Sequence, residues 1–216
     1  MYPAKKDATH TRTQFQVDRI AFFSDAVIAI AITLLVLEIK IPPLGKEATW
    51  EQIVQQFGHT LFIEFISLCV CFASIGNLWI RHHELYEHIN NYSKQLVKIN
   101  LYFLLTIILL PLSISFCFED NNPISLRFSV LCINLALCNF MFYLMQLIVF
   151  HKKNQFSALN TKNEMSLQKK HSLVHACVLL VAGLLALWGV SWFYLLIFVF
   201  PLIRTVSKLF NIKSFE

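Results

Sequence analysis

Apolar residues run along this chain in long blocks, at 19–39, 57–80, 96–118, 126–150, 172–188 and 192–209, separated by shorter polar clusters. Each block approaches the roughly 20 residues that a helix rising about 1.5 Å per residue needs to cross a hydrocarbon core of about 30 Å. Only Gly189, Val190 and Ser191 part the last two blocks. Fused, they would be far too long for one crossing, so the pattern predicts a tight helical hairpin there. Pro42 and Pro43 cannot continue a hydrogen-bonded turn and end the first helix. The stretch 44–56 then reads as an external loop with a short interfacial helix around Trp50, and 151–171 as a polar, basic internal loop. The predicted fold is all-α: a polytopic membrane protein with a cytoplasmic segment 1–18, a six-helix domain 19–210 and a cytoplasmic tail 211–216.

Composition agrees with lipid as the solvent. Hydrophobic residues make up 56% of the 216 and charged residues 14%, and 20 positions are Phe, more apolar surface than a soluble chain of this size can hide. The polar opening 1–16 and the long first block lack the pattern of a cleaved signal, so the first span is expected to be retained. The net charge of +5 acquires meaning from its placement. If the N-terminus is cytoplasmic, every Lys and Arg except Lys40, Lys46 and Arg127 falls on the cytoplasmic side of six spans. That asymmetry is the positive-inside bias, and it puts both termini in the cytoplasm of a multi-pass protein of the plasma or inner membrane. A nucleic-acid footprint would gather the charge on one face instead, so no nucleic-acid partner is expected. The six cysteines, Cys69, Cys71, Cys117, Cys132, Cys138 and Cys177, lie in or at the ends of apolar blocks without a Cys-x-x-Cys pair and read as packing residues. With five glycines in all, there is no nucleotide-binding loop.

The first block carries the candidate chemistry. From Ile20 to Ile39 it has neither Gly nor Pro and should form an unbroken helix. At about 100° per residue, Phe23, Ala26, Val27, Ile30, Thr33, Leu34 and Leu37 share one arc, while Asp25, Ala29, Ile32 and Val36 lie on the far side. The arc is open to two readings: a packing stripe whose small residues admit another helix, or the wall of a pore lined by side chains. Asp25 is the more pointed feature, because a carboxylate within a span costs several kcal/mol unless it is paired, hydrated or protonated. Its candidate partners, with those of Ser24, are Arg19 and, at matching depth in the second span, Asn77, Trp79, Arg81, His82 and His83, whose indole and imidazoles supply donors.

Arg19-x-x-x-Phe23-Ser24-Asp25, followed by the apolar run Ala26 to Ile39 with Thr33 and Glu38 within it, closely resembles the first-helix signature of the endosomal and lysosomal transmembrane potassium channel family, specifically its bacterial branch. Trp79-x-x-His82-His83 and the six-span length extend the likeness. The resemblance implies a potassium-permeable cation channel without a carbonyl filter loop, its pore lined by the first helix of each subunit. A chain with one six-helix repeat would assemble as a homotetramer. The resemblance further implies a hydrophobic constriction at Ile30, Leu34 and Leu37 and a ring of Thr33 hydroxyls that aids selectivity by touching K+ in transit. Arg19, Phe23, Ser24, Asp25, Trp79, His82 and His83 would form a structural network joining the first helix to the second and third. No cofactor is implied beyond the permeant K+, and the expected partners are lipid, potassium ions and further copies of the chain.

Rival functions leave weaker marks. Glu64 is as compatible with packing as with a proton relay, His59 lies beside the same block, and His171 and His175 have the i, i+4 spacing of metal ligands but no neighbouring carboxylate or thiolate. A secondary transporter or proton-coupled carrier should show inverted repeats and broken helices, neither of which is visible, although Pro111 and Pro201 lie in spans. An intramembrane enzyme would need a clustered nucleophile, base or metal motif, and His82-His83-Glu84 is only a fragment of one.

Overall fold

The computed structural model describes residues 4–38, 49–91, 93–117, 122–151 and 162–188. They form five α-helices in chain order: α1 (Ala4–Leu34), α2 (Trp50–Glu87), α3 (Lys94–Cys117), α4 (Ile124–Val149) and α5 (Lys162–Leu187). A 3₁₀ turn, Leu35–Glu38, extends α1. The expected span 192–209, the hairpin before it and the tail 211–216 lie outside the described residues. Among the described residues four helical stretches are long and apolar enough to cross a membrane: Thr13–Leu37, Lys94–Cys117, Ile124–Val149 and Lys169–Leu187. This is an all-helical membrane protein with several spans.

Three boundaries differ from the sequence expectation. Helix α1 begins at Ala4, within the segment read as a cytoplasmic lead-in, and at 31 residues runs about 46 Å, well beyond the hydrocarbon thickness. The short helix expected around Trp50 is the first turn of α2, continuous over 38 residues through to Glu87. Helix α5 starts at Lys162 inside the expected loop. In each case polar residues with fair helix propensity extend a nucleus already formed by the apolar block, since propagation needs one bond per residue fixed and nucleation is the expensive step.

The bundle is built as a row. α1 packs on α2 and α3, α3 on α4, and α4 on α5. Around α3, Phe103, Ile107, Leu110 and Ile114 join Ile28 of α1, Ile75 of α2, and Phe142 and Met145 of α4 in one buried cluster. Ser93 caps α3 by accepting the Leu96 N–H at 3.1 Å. Pro111 lies buried inside α3, a position that membrane bundles tolerate because neighbouring groups can satisfy the freed backbone. The far ends of α3 and α4 are clasped in both directions: Arg127 Nη1 donates to the Cys117 carbonyl at 2.9 Å, and Cys117 Sγ to the Arg127 carbonyl at 3.2 Å. A cation there also complements the C-terminal end of the α3 dipole. Deeper in the same pair, Asn134 Nδ2 donates to Ser113 Oγ at 2.8 Å. The six cysteines are free thiols.

Gly183 sets how closely α4 and α5 approach. A Cβ at this position would lie 3.0 Å from Ile133 Cγ1, 3.3 Å from Cys132 Cβ and 3.3 Å from the Ser129 carbonyl oxygen. Ala182 and Ala186 continue the small surface on α5. Close backbone approach of this kind drives helix association in lipid, where apolar burial supplies little. We expect Gly183→Leu to force the pair apart and lower stability by about 1–3 kcal/mol, the usual range for overpacking. Thermal unfolding of the detergent-solubilised protein measures it, and an unchanged midpoint would mean that the pair is not closely packed.

Candidate functional site

Helix α1 presents three different surfaces. Ser24, Ile28, Ala31 and Leu35 form the stripe buried against α2 and α3, at 0–2% exposure. Phe23, Ile30, Leu34 and Leu37 are open, at 52%, 60%, 39% and 73%, and Ala26 and Thr33 are exposed beside them. Val27 is intermediate. The third surface lies on the far side of the helical wheel, where Ala29 and Val36 are also exposed, so α2 and α3 cover only a narrow strip of α1. For Val36 the 3₁₀ turn contributes, because its 120° step advances each side chain beyond the 100° of an α-helix.

The covered strip is anchored by a chain of polar contacts through three helices. Ser24 donates its hydroxyl proton to the Ile20 carbonyl at 2.8 Å and accepts from Asn100 Nδ2 on α3 at 2.8 Å. The Asn100 side-chain oxygen in turn meets His82 Nε2 on α2 at 3.0 Å. Because Asn100 Oδ1 can only accept, the imidazole must carry a proton on Nε2. Ser24, Asn100 and His82 are at most 1% exposed, so each relies on the others to satisfy its polar atoms. His82 is clamped between the rings of Tyr86, 4.5 Å between centroids, and Phe103, at 5.4 Å. At the edge of the strip, Trp79 Nε1 donates to the Asp25 carboxylate at 2.8 Å. That contact spans α1 and α2 where the side chains are partly open.

The remaining sequence-selected residues take other positions. His83 faces outward, stacks on Trp79 at 5.7 Å and lies 3.4 Å from Glu87. Arg19 is exposed, and among the described residues no carboxylate pairs with it. Arg81, grouped in the sequence with the partners of Asp25, instead turns to α4 and α5, where Nη1 donates to Asn139 Oδ1 at 3.0 Å and Nη2 to Ser172 Oγ. Its guanidinium also sits 4.6 Å from the centroid of the Phe142 ring. The reason is angular: residues 81 and 82 point about 100° apart on one helix and so serve different neighbours. Asn100, the centre of the network, was not singled out from sequence. The available signal was an asparagine in a largely apolar block one helix away from a Ser-Asp pair.

His171 and His175 approach edge to face at 6.4 Å between centroids, and among the described residues no group of three or more His, Cys, Asp or Glu could hold a metal ion. The side chains of His59 and Glu64 lie outside the described ones.

Comparison with known proteins addresses the same elements. The family model described as endosomal/lysosomal potassium channel TMEM175 matches residues 19–111, from Arg19 on α1 to Pro111 on α3, the segment that holds the whole polar anchor. The match takes in the latter half of α1, all of α2 and most of α3, less than half of the chain. The family is a channel family, not an enzyme family. Among curated relatives, a potassium channel of Streptomyces collinus is 33% identical over 94 residues, 43% of this chain and 43% of its own. One from Chamaesiphon minutus is 39% identical over 79 residues, 34% of this chain and 36% of its own. These alignments thus span less than half the length of the relatives. The fold match is longer. The crystal structure of a lysosomal potassium-selective channel TMEM175 homolog from Chamaesiphon minutus superposes with a TM-score of 0.70 at 24% identity, covering 89% of this chain and 97% of that one. The matched segment therefore sits in a helical fold shared well beyond it.

Proposed function

We propose that the protein is a potassium-permeable cation channel in which copies of α1 line the conduction path. The observation that carries this reading is the uncovered apolar stripe of α1, with Ile30, Leu34, Leu37 and Thr33 exposed, beside a strip fastened to α2 and α3 by buried hydrogen bonds. One subunit leaves that stripe open and cannot enclose a pore. Four copies around an axis, in a plasma or inner membrane with both termini cytoplasmic, would bring the stripes together. The names of the relatives agree with potassium as the ion.

In this arrangement Ile30, Leu34 and Leu37 form successive apolar rings that exclude water when narrow and admit a partly hydrated ion when wider. Thr33 lies between them. Its hydroxyl donates to the Ile30 carbonyl at 2.8 Å, so the proton is directed back along the helix and the oxygen lone pairs remain as acceptors for a cation. Ser24, Asp25, Trp79 and His82 belong to the cytoplasmic part of the scaffold that holds α1 at its working angle, while Arg19, Phe23 and His83, grouped with them in the sequence, are exposed beside it.

The test is a bilayer recording of reconstituted protein with potassium on one side and sodium on the other. A channel gives a conductance that requires no coupled ion and reverses toward the potassium potential. Saturating flux that depends on a second ion would establish a carrier instead. Thr33→Val, which keeps the shape but removes the acceptor, should lower the potassium-to-sodium permeability ratio by roughly threefold, within the range of one net hydrogen bond. An unaltered reversal potential would remove Thr33 from the path.

A further inference from the structure

The contacts of Arg81 point to a ligand from the surrounding bilayer. Its guanidinium is held by neutral groups, Asn139 Oδ1, Ser172 Oγ and the face of Phe142, and among the described residues no carboxylate lies within 4.0 Å of it. These side-chain acceptors use two of its five N–H donors. From Arg81 a ladder runs along the joint between α4 and α5 toward their polar ends. Ser172 Oγ donates onward to Gln146 Oε1 at 2.7 Å, and one turn further Lys169 Nζ sits 5.6 Å from the centroid of the Phe150 ring. Two cations therefore rest on aromatic faces of α4 eight residues apart, with Ser172 and Gln146 between them. Lys170 is exposed next to Lys169. Glu84, three residues along α2, makes no ion pair with Arg81.

We propose that this joint binds the headgroup phosphate of an anionic phospholipid in the leaflet that meets the basic end of the bundle. Lys169 and Lys170 meet a phosphate diester at the depth where headgroups lie, and the Arg81 guanidinium, whose Nη atoms are taken by Asn139 and Ser172, adds positive charge behind them. The α4 and α5 faces beside the ladder are apolar and open, with Leu147, Leu173 and Val174 at 37–48% exposure, so acyl chains can follow the helices from the same point. Basic recesses between spans are a recognised way of selecting acidic headgroups. The proposal rests on the membrane placement of α4 and α5 and not on ion conduction.

Native mass spectrometry of the purified full-length protein, with phosphatidylglycerol or phosphatidylcholine added at equal concentration, reads the binding without any flux measurement. Phosphatidylglycerol should be retained at least about fivefold more than phosphatidylcholine, the factor expected from a single favourable charge near the surface. Lys169→Gln with Lys170→Gln should bring the two lipids to parity while leaving the Arg81 bonds in place. Arg81→Gln should do the same but also loosens α2, so the lysine pair is the decisive variant. Lys94→Gln with Lys98→Gln removes two exposed lysines from α3 at the same end of the bundle and should change nothing. Equal retention of both lipids by the native protein, persistence of the preference in the Lys169/Lys170 variant, or an equal loss in the Lys94/Lys98 variant would each overturn the site.

Discussion

Replacing Ile30 with Asn should raise potassium flux through the reconstituted protein by at least about tenfold. Ile30 is 60% exposed on a strip that its own subunit leaves bare, and four copies would form a ring of branched apolar side chains. Such a ring conducts poorly because an ion reaching it sheds water without receiving replacement ligands. An amide supplies both acceptor and donor at nearly the same volume, so water and ions can cross without widening the helices. Lowering the barrier by about 1.4 kcal/mol suffices for a tenfold gain, and that is less than the transfer free energy of one isoleucine side chain. Flux should rise without loss of folding, since Ile30 contributes nothing to the buried strip of Ser24, Ile28, Ala31 and Leu35. Flux at the native level from well-folded Ile30→Asn would remove this position from the constriction.

The second large effect is on assembly of the scaffold. Asn100→Leu removes the donor to Ser24 and the acceptor for His82 together. Ser24 retains its bond to the Ile20 carbonyl, whereas the protonated Nε2 of His82 is left at 1% exposure with no acceptor. An orphaned buried polar group costs about 1–3 kcal/mol, and the bulkier leucine adds strain against Phe103 and its neighbours. A total loss of about 2–5 kcal/mol is expected, visible as a lowered unfolding temperature in detergent. Ser24→Ala should cost less, because it removes one acceptor for the Asn100 amide and leaves the His82 contact intact. If Asn100→Leu and Ser24→Ala proved equally mild, the three-helix chain would not be what fastens α1.

These two residues illustrate what could be read in advance. The arc that includes Ile30 was readable because a regular helix repeats every 3.6 residues, so the spacing of Phe23, Ala26, Ile30, Thr33 and Leu37 defines a face before any neighbour is known, whereas a constriction at Ile30 is what the family resemblance implies. The four described spans were likewise identifiable from hydropathy, since lipid requires each crossing to satisfy its own backbone. The Ser24-Asp25 pair was recognisable as costly within a span, and the motif around it lies in the segment that matches the TMEM175 family model. Asn100 had no such mark, because an asparagine acquires its role from what faces it across an interface.

The sequence by itself determined that this is a helical membrane protein and which arc of the first helix is apolar, since both follow from local periodicity and transfer free energy. Only the tertiary structure decided how the segment 79–83 is divided among partners. Trp79 goes to Asp25 on α1, His82 to Asn100 on α3, and Arg81 to Asn139 and Ser172 on α4 and α5. A helix fixes the angle between its side chains, but which neighbour stands at each angle depends on how separate helices pack, and no local pattern encodes that.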